Sequence, residues 1–281
     1  MRTLALNNNL VLVAGRDGYF LVNLNDVYVG QALALYGEYC AEEAAFLARI
    51  VKPGNHVVEV GANIGAHTIG LAKSVGPHGR VYAFEPQRAC YSLLQSQIAL
   101  NQVYQVQAYN EGLGHSRERL WLPNIDYSKP NNFGGASLSR SQSPQAEAID
   151  VTTLDNRLPD VPVSLIKIDV EGMEEDVIRG GSNLIRKHRP LLYVENDRIE
   201  KSRSLVSLII EFGYRLWWHV PELYNKNNFF QVRENIFGKA ASFNMICACH
   251  SQEATAGLVE INSPDEPHPL AAQPRPGFRP V

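Results

Sequence analysis

From residue 56 onward the chain alternates between short runs rich in β-branched and aromatic residues and stretches with apolar residues at helical spacing. His56–Val60 reads as a strand and Ala66–Val75 as a helix; Arg80–Phe84 and Ala89–Leu100 repeat the pair, and Val106–Tyr109 is a third strand. Leu165–Asp169 is a fourth strand with a helix at Glu174–Arg179, and Leu191–Val194 a fifth with a helix at Leu205–Phe212. Arg215–His219 and Asn244–Cys249 close the series. Alternation of this kind leaves few topologies. It predicts an α/β fold with a mostly parallel, seven-stranded sheet and helices on both faces. Ligands of such sheets bind beyond the carboxyl ends of the strands, so residues at those ends are the functional candidates.

The flanks read differently. Leu10–Val13 and Tyr19–Leu24 enclose the turn Arg16-Asp17-Gly18, which predicts a β-hairpin in a region spanning 1–29. A helix over Glu42–Ile50 is stopped by Pro53-Gly54 and opens a main domain spanning 30–250. Within it, residues 115–147 are polar and turn-rich, an insertion suited to a lid or mobile loop. The tail, 251–281, holds six of the sixteen prolines and reads as disordered.

Charge and cysteine usage narrow the function classes. The formal net charge of -3 argues against a duplex nucleic-acid partner, which needs a basic face. No run approaches the roughly 18 apolar residues of a membrane span, and no apolar core follows Met1–Leu12 that would mark a secretory signal. Cys40, Cys90, Cys247 and Cys249 form no CxxC pair or zinc-like grouping, as expected of reduced cysteines in a soluble, cytoplasmic chain.

The most specific local signal is Glu59-Val-Gly61-Ala-Asn63-Ile-Gly65, between the first strand of the series and its helix. A tight strand-to-helix turn needs glycine where φ is positive or a ligand approaches the backbone, and the following helix offers free N–H groups. A dinucleotide fingerprint would read G-x-G-x-x-G/A. Here Asn63 replaces the middle glycine, and the spacing fits the acid-x-G-x-x-x-G loop of class I methyltransferases, which receives the amino-acid end of S-adenosylmethionine. Glu85 ends the second strand twenty residues past Gly65, placed to accept hydrogen bonds from both ribose hydroxyls, although it could instead cap the next helix. The third strand runs into Asn110-Glu111, where an adenine ring would lie. Cofactor candidates are therefore Glu59, Gly61, Asn63, Gly65, Glu85, Asn110, Glu111 and Asp169.

Together, Val58-Glu-Val-Gly-Ala-Asn-Ile-Gly-Ala-His-Thr68, Ala83-Phe-Glu-Pro86 and Lys167-Ile-Asp-Val-Glu-Gly172 resemble the FkbM-type methyltransferases, from about Gly30 to Cys249. The resemblance implies a Rossmann-like class I fold, S-adenosylmethionine as cofactor, and O-methylation of a hydroxyl on a sugar, glycan or other polyhydroxylated metabolite.

Catalytic candidates sit at later strand ends. Asp169 and Glu171 end the fourth strand, Lys167 shares a strand face with Asp169 and could pair with it, and Glu195 ends the fifth. Asn131 and Ser137 in the insertion and His219 after the next strand are acceptor-site candidates, although a histidine following Trp217-Trp218 also fits a packed edge. No spacing compels a metal site. N-methylation of protein or RNA, a nicotinamide-dependent oxidoreductase and a non-catalytic relic of the fold are the competing readings. The first lacks an Asn/Asp-Pro-Pro-aromatic tetrapeptide and the second lacks its middle glycine; the third conflicts with an intact loop and acidic pair.

Overall fold

The structure, a computed structural model, describes residues 2–158, 160, 162–249 and 255–272. The elements are β1 (Thr3–Ala5), β2 (Leu10–Ala14), β3 (Tyr19–Asn23), α1 (Val29–Tyr36), α2 (Ala41–Ile50), β4 (His56–Val60), α3 (Thr68–Val75), β5 (Arg80–Phe84), α4 (Arg88–Asn101) and β6 (Val106–Tyr109). There follow β7 (Gly112–Leu113), β8 (Glu118–Leu122), β9 (Glu147–Thr152), α5 (Leu154–Arg157), β10 (Leu165–Ile168), α6 (Glu174–Gly180), α7 (Ser182–His188) and β11 (Leu191–Glu195). The chain continues through α8 (Ile199–Glu211), β12 (Arg215–His219), β13 (Asn244–Ala248) and β14 (Val259–Ile261) to a 3-10 turn at Pro269–Ala272.

The main sheet runs β14-β12-β13-β11-β10-β4-β5-β6. β4, β5, β6, β10 and β11 pair in parallel, whereas β13 lies antiparallel to both β11 and β12, and β14 antiparallel to β12. Strand order steps outward from β4 through β5 to β6, then returns to β10 on β4's other side. That reversal opens a crevice beyond the carboxyl ends of β4 and β10, the usual ligand position in such sheets.

Side-chain alternation along β4 sends Val57 into the core under α2, α3 and α4 and Val58 and Val60 into the core under α6, α7 and α8. Strands buried on both faces read as continuous apolar runs for this reason.

The structure adds to some expectations and changes others. The N-terminal hairpin is a three-stranded meander, β1-β2-β3, whose first strand is exposed and carries no burial pattern to read. The insertion is anchored at its ends: β8 pairs with β9, and β9 with β7, while 123–146 carry no strand or helix between them. α1 is a helix not anticipated from the sequence; Gly37 in the left-handed region (φ +73°) marks its end. Finally, the sheet has eight strands instead of seven, because part of the Pro-rich tail joins it. β14 pairs with β12 and buries Ile261, while Arg215 grips Glu260 through two 2.7 Å hydrogen bonds. Of the tail expected to be disordered, 251–254 and 273–281 lie outside the described residues, and 255–272 is ordered.

All four cysteines are free, Cys40, Cys90 and Cys247 being buried. Among the described residues no helix is long and apolar enough to cross a membrane.

Candidate active site

A cavity of about 260 Å³ opens beyond the ends of β4, β5, β10 and β11. Its floor begins at Gly61, whose φ is +84°. A Cβ built there would stand 1.7 Å from the Asp169 carbonyl oxygen, so the two strand ends meet only because position 61 has no side chain. Asn63 also adopts left-handed backbone (φ +50°), and its Oδ1 accepts the Ile64 N–H at 2.7 Å. Asparagine tolerates this region because its short side chain bonds locally, which is how the loop forms without a middle glycine. Gly65 (φ +88°) serves packing: a Cβ would approach Leu94 Cδ1 at 2.8 Å, and the residue does not line the cavity.

Glu85 is buried at the β5 end and lines the cavity. Its Oε2 accepts the Asn63 N–H at 2.7 Å and its Oε1 the Gln87 N–H at 2.8 Å. Each oxygen keeps a lone pair for a further donor. Burial pushes its carboxyl up to about 7, against the pull of those two N–H groups. Asn110 stands behind this residue, donating from Nδ2 to the Glu85 and Pro86 carbonyls at 2.9 Å each; it braces the wall and does not line it. Glu111 does line the cavity, with an ion pair to Arg157.

Beneath the loop lies a buried charge group. The Lys167 side chain is 2% exposed; its Nζ lies 2.9 Å from Asp169 Oδ2 and 3.6 Å from Glu43 Oε1. Burial works against the ammonium, but Asp169, Glu43 and Glu59 more than offset it and push its pKa upward. Glu59, 1% exposed, accepts the Thr68 hydroxyl at 2.6 Å, and burial lifts it to about 7. For Asp169 burial acts upward, yet Lys167 holds the carboxyl below its ordinary value. The Asp169 side chain keeps 37% exposure and lines the cavity. Beside it, burial and then the Asp169 charge push the Glu195 carboxyl well above its ordinary value, favouring its protonated form.

Glu171 lines the cavity with Asp169 and Glu195, its carboxylate engaged by Arg198. Its backbone is left-handed (φ +55°), and burial, then Asp169 and Asp197, raise its carboxyl to about 7. It sits on the cavity rim with Glu195 and Asp197, their carboxylate oxygens within 4.8 Å of one another. These three could hold a cation, but Arg198 already pairs with both Glu171 and Asp197.

The acceptor-site candidates are displaced. Asn131 is exposed and does not line the cavity: its backbone bonds to Asn25 and Val27, tying the insertion to the segment before α1. The next residues, Asn132, Phe133 and Gly134, form the cavity wall, and Phe133 packs edge-on against Tyr127. Ser137 donates to the Glu171 carbonyl at 2.9 Å, fastening the insertion to the β10 end. His219 is not in the site at all. Strand alternation turns it toward α2, where its Nδ1 lies 2.8 Å from the Tyr193 hydroxyl and its ring against Phe46.

Among the lining residues that are not candidates from the sequence are Tyr39 and Glu43; His67, at the cofactor loop, lines the cavity as well. Glu43 had a usable signal, since Phe46 and Leu47 follow at i+3 and i+4 and put it on the apolar face of α2. His67 lies 3.4 Å from Glu43, and burial pushes its imidazole pKa down.

Against known proteins, the Methyltransferase FkbM domain matches residues 59–216, more than half of the chain. The chain belongs to the FkbM methyltransferase family. Methyltransferase 1 of Beauveria bassiana (strain ARSEF 2860) is 32% identical over 143 residues, 44% of this chain and 57% of that protein. Methyltransferase sdnD of Sordaria araneosa is 28% identical over 181 residues, 53% of this chain and 69% of that protein. A crystal structure of methyltransferase FkbM from Methylobacillus flagellatus KT aligns at 16% identity and TM-score 0.42, over 72% of this chain and 50% of that one. The chain thus spans little more than half of the first of these relatives. The FkbM match begins at Glu59 and ends at Leu216, so it contains the glycine turn, Glu85 and the β10 acids but leaves out Glu43 on α2.

Proposed function

We propose that this FkbM family member is an S-adenosylmethionine-dependent methyltransferase whose acceptor is a hydroxyl of a sugar, glycan or other polyhydroxylated metabolite. The observation that carries the reading is the pairing of the Gly61 turn, where no Cβ fits, with Glu85, which lines the cavity and whose two oxygens each accept a single N–H. Glu85 would hold the ribose hydroxyls, and the loop Gly61–Gly65 the amino-acid end. When bound, S-adenosylmethionine supplies a methyl group on an electrophilic sulfonium.

The chain's own groups divide the remaining work. Asp169 is the nominated carboxylate that stays ionised and opens to the cavity, because Lys167 is fixed beside it. It accepts the proton of the acceptor hydroxyl as the new carbon–oxygen bond forms and the carbon–sulfur bond breaks. Glu195, whose protonated form burial and Asp169 favour, can in that form donate a hydrogen bond to an acceptor oxygen. Asn132 and Ser242 add polar groups to the wall, chemistry suited to a hydroxyl-rich molecule.

Calorimetry with S-adenosylhomocysteine tests the cofactor half. The wild type should bind with micromolar affinity, and Glu85→Ala should weaken binding about 10²-fold, since two hydrogen bonds to a charged group are lost. Only the Glu85 carboxylate can accept both ribose hydroxyls. With its carboxyl raised to about 7, binding should release a proton and weaken as pH falls below that value, a dependence absent in Glu85→Gln. A folded wild type that ignores S-adenosylhomocysteine and binds a nicotinamide dinucleotide would overturn the proposal.

A further inference from the structure

Residues 255–272 lie beyond the stretch matched by the FkbM family. From β14 at the sheet edge this segment turns back and inserts His268 between Trp218 and Phe243, with ring centroids 4.8 and 5.7 Å away. His268 is 6% exposed. The Leu270 N–H donates to its Nδ1 at 3.0 Å, so the single proton of the neutral ring sits on Nε2, which donates to the Asn196 carbonyl at 2.7 Å.

Asn196 is the residue between Glu195 and Asp197, both of which line the cavity. Buried at 3%, it is tied on every side: its N–H donates to the Phe243 carbonyl at 2.7 Å and its Nδ2 to the Ser202 hydroxyl at 2.9 Å. The carbonyl is the remaining backbone group, and His268 holds it. With the N–H and the C=O of residue 196 both anchored, the backbone cannot turn, and the side chains before and after it keep one direction.

We propose that the C-terminal segment is a working part of the acceptor end of the cavity, with His268 as a positioning residue that sets Glu195 and Asp197 through the Asn196 carbonyl. This rests on the reading above that Glu195 meets an oxygen of the acceptor. His268 touches neither substrate nor cofactor.

Two substitutions separate its two hydrogen bonds. In His268→Asn the shorter side chain can still take the Leu270 N–H, so the segment stays capped, but it cannot reach Asn196. In His268→Gln the amide nitrogen replaces Nε2 and keeps the Asn196 bond. Full-length wild type and both variants would be compared by ¹³C-carboxyl NMR titration of Glu195, amide exchange at Asn196–Arg198, and calorimetry with S-adenosylhomocysteine. In His268→Asn the Glu195 titration should move by about half a pH unit or more and amide exchange at Asn196–Arg198 should quicken about tenfold. Affinity for S-adenosylhomocysteine should stay within about twofold, because the cofactor loop is untouched, and His268→Gln should restore the wild-type values. A Glu195 titration unchanged in His268→Asn, or shifted equally in both variants, overturns the positioning role. Loss of the cofactor reading would show separately, as a wild type that does not bind S-adenosylhomocysteine.

Discussion

Lys167→Met should lower the free energy of unfolding by about 3–5 kcal/mol, the usual cost of removing one partner from a buried ion pair. Methionine keeps the bulk of the side chain, so the loss would report charge and not a cavity. The ammonium is the buried cation facing Asp169 and Glu43, with Glu59 also drawn to it. Without it Glu43 and Glu59 stay buried with no ammonium between them, and Asp169 loses its partner. Glu59, already lifted to about 7, would lose the Lys167 attraction that opposes burial and rise further. A carboxyl raised in the folded state stabilises fully below its unfolded pKa, and that contribution is lost as pH rises through the folded value. The gap between variant and wild type should therefore be wider at pH 8 than at pH 5. Adding Glu43→Gln should recover about 1–2 kcal/mol, because it removes one of the stranded charges. Urea unfolding at both pH values measures all of this, and a gap independent of pH would show that the ammonium is not the counter-charge for this group.

The same charge group shows which parts of the site could be read from sequence. Lys167 and Asp169 share a strand face by period two, and strand-end positions follow from local geometry next to a glycine turn. Glu59, Gly61 and Glu85 were legible for that reason. Glu43 comes from a helix whose docking is a tertiary matter, and an acid in the first helical turn ordinarily serves the helix dipole. His219 also ends a strand, yet alternation turned it away from the crevice toward Phe46. Glu171 lines the cavity as expected of a strand-end acid, but its left-handed backbone is something no spacing rule foresees. Within the tail, composition alone did not reveal the order of residues 255–272. Three residues of β14 are too few to show alternation, and their order depends on an open edge of β12 and on the Arg215–Glu260 pair.

Gly61→Ala should be the most damaging change in the glycine loop, and Gly65→Ala a mild one, although both residues have positive φ. Backbone in this region costs a non-glycine residue roughly 1–2 kcal/mol at either site. At Gly65 the new methyl meets the end of the Leu94 side chain, which can rotate aside. At Gly61 it meets the Asp169 carbonyl oxygen, fixed by the pairing of β10 with β4 and by the Asp169 N–H donating to the Val60 carbonyl at 3.0 Å. Relief requires the two strand ends to part, adding an overpacking cost of about 1–3 kcal/mol. The total is roughly 2–5 kcal/mol. Parting the strands also moves Asp169 and the Gly61 amide, so Gly61→Ala should lose S-adenosylhomocysteine binding even at temperatures where it remains folded. Gly65→Ala should keep binding, since that residue does not line the cavity. Thermal unfolding with and without S-adenosylhomocysteine would separate the two: a ligand-induced rise in midpoint for Gly65→Ala and none for Gly61→Ala. Equal behaviour of the two variants would mean that the glycines serve only the turn, and that the cofactor backbone does not pass over the junction of β4 and β10.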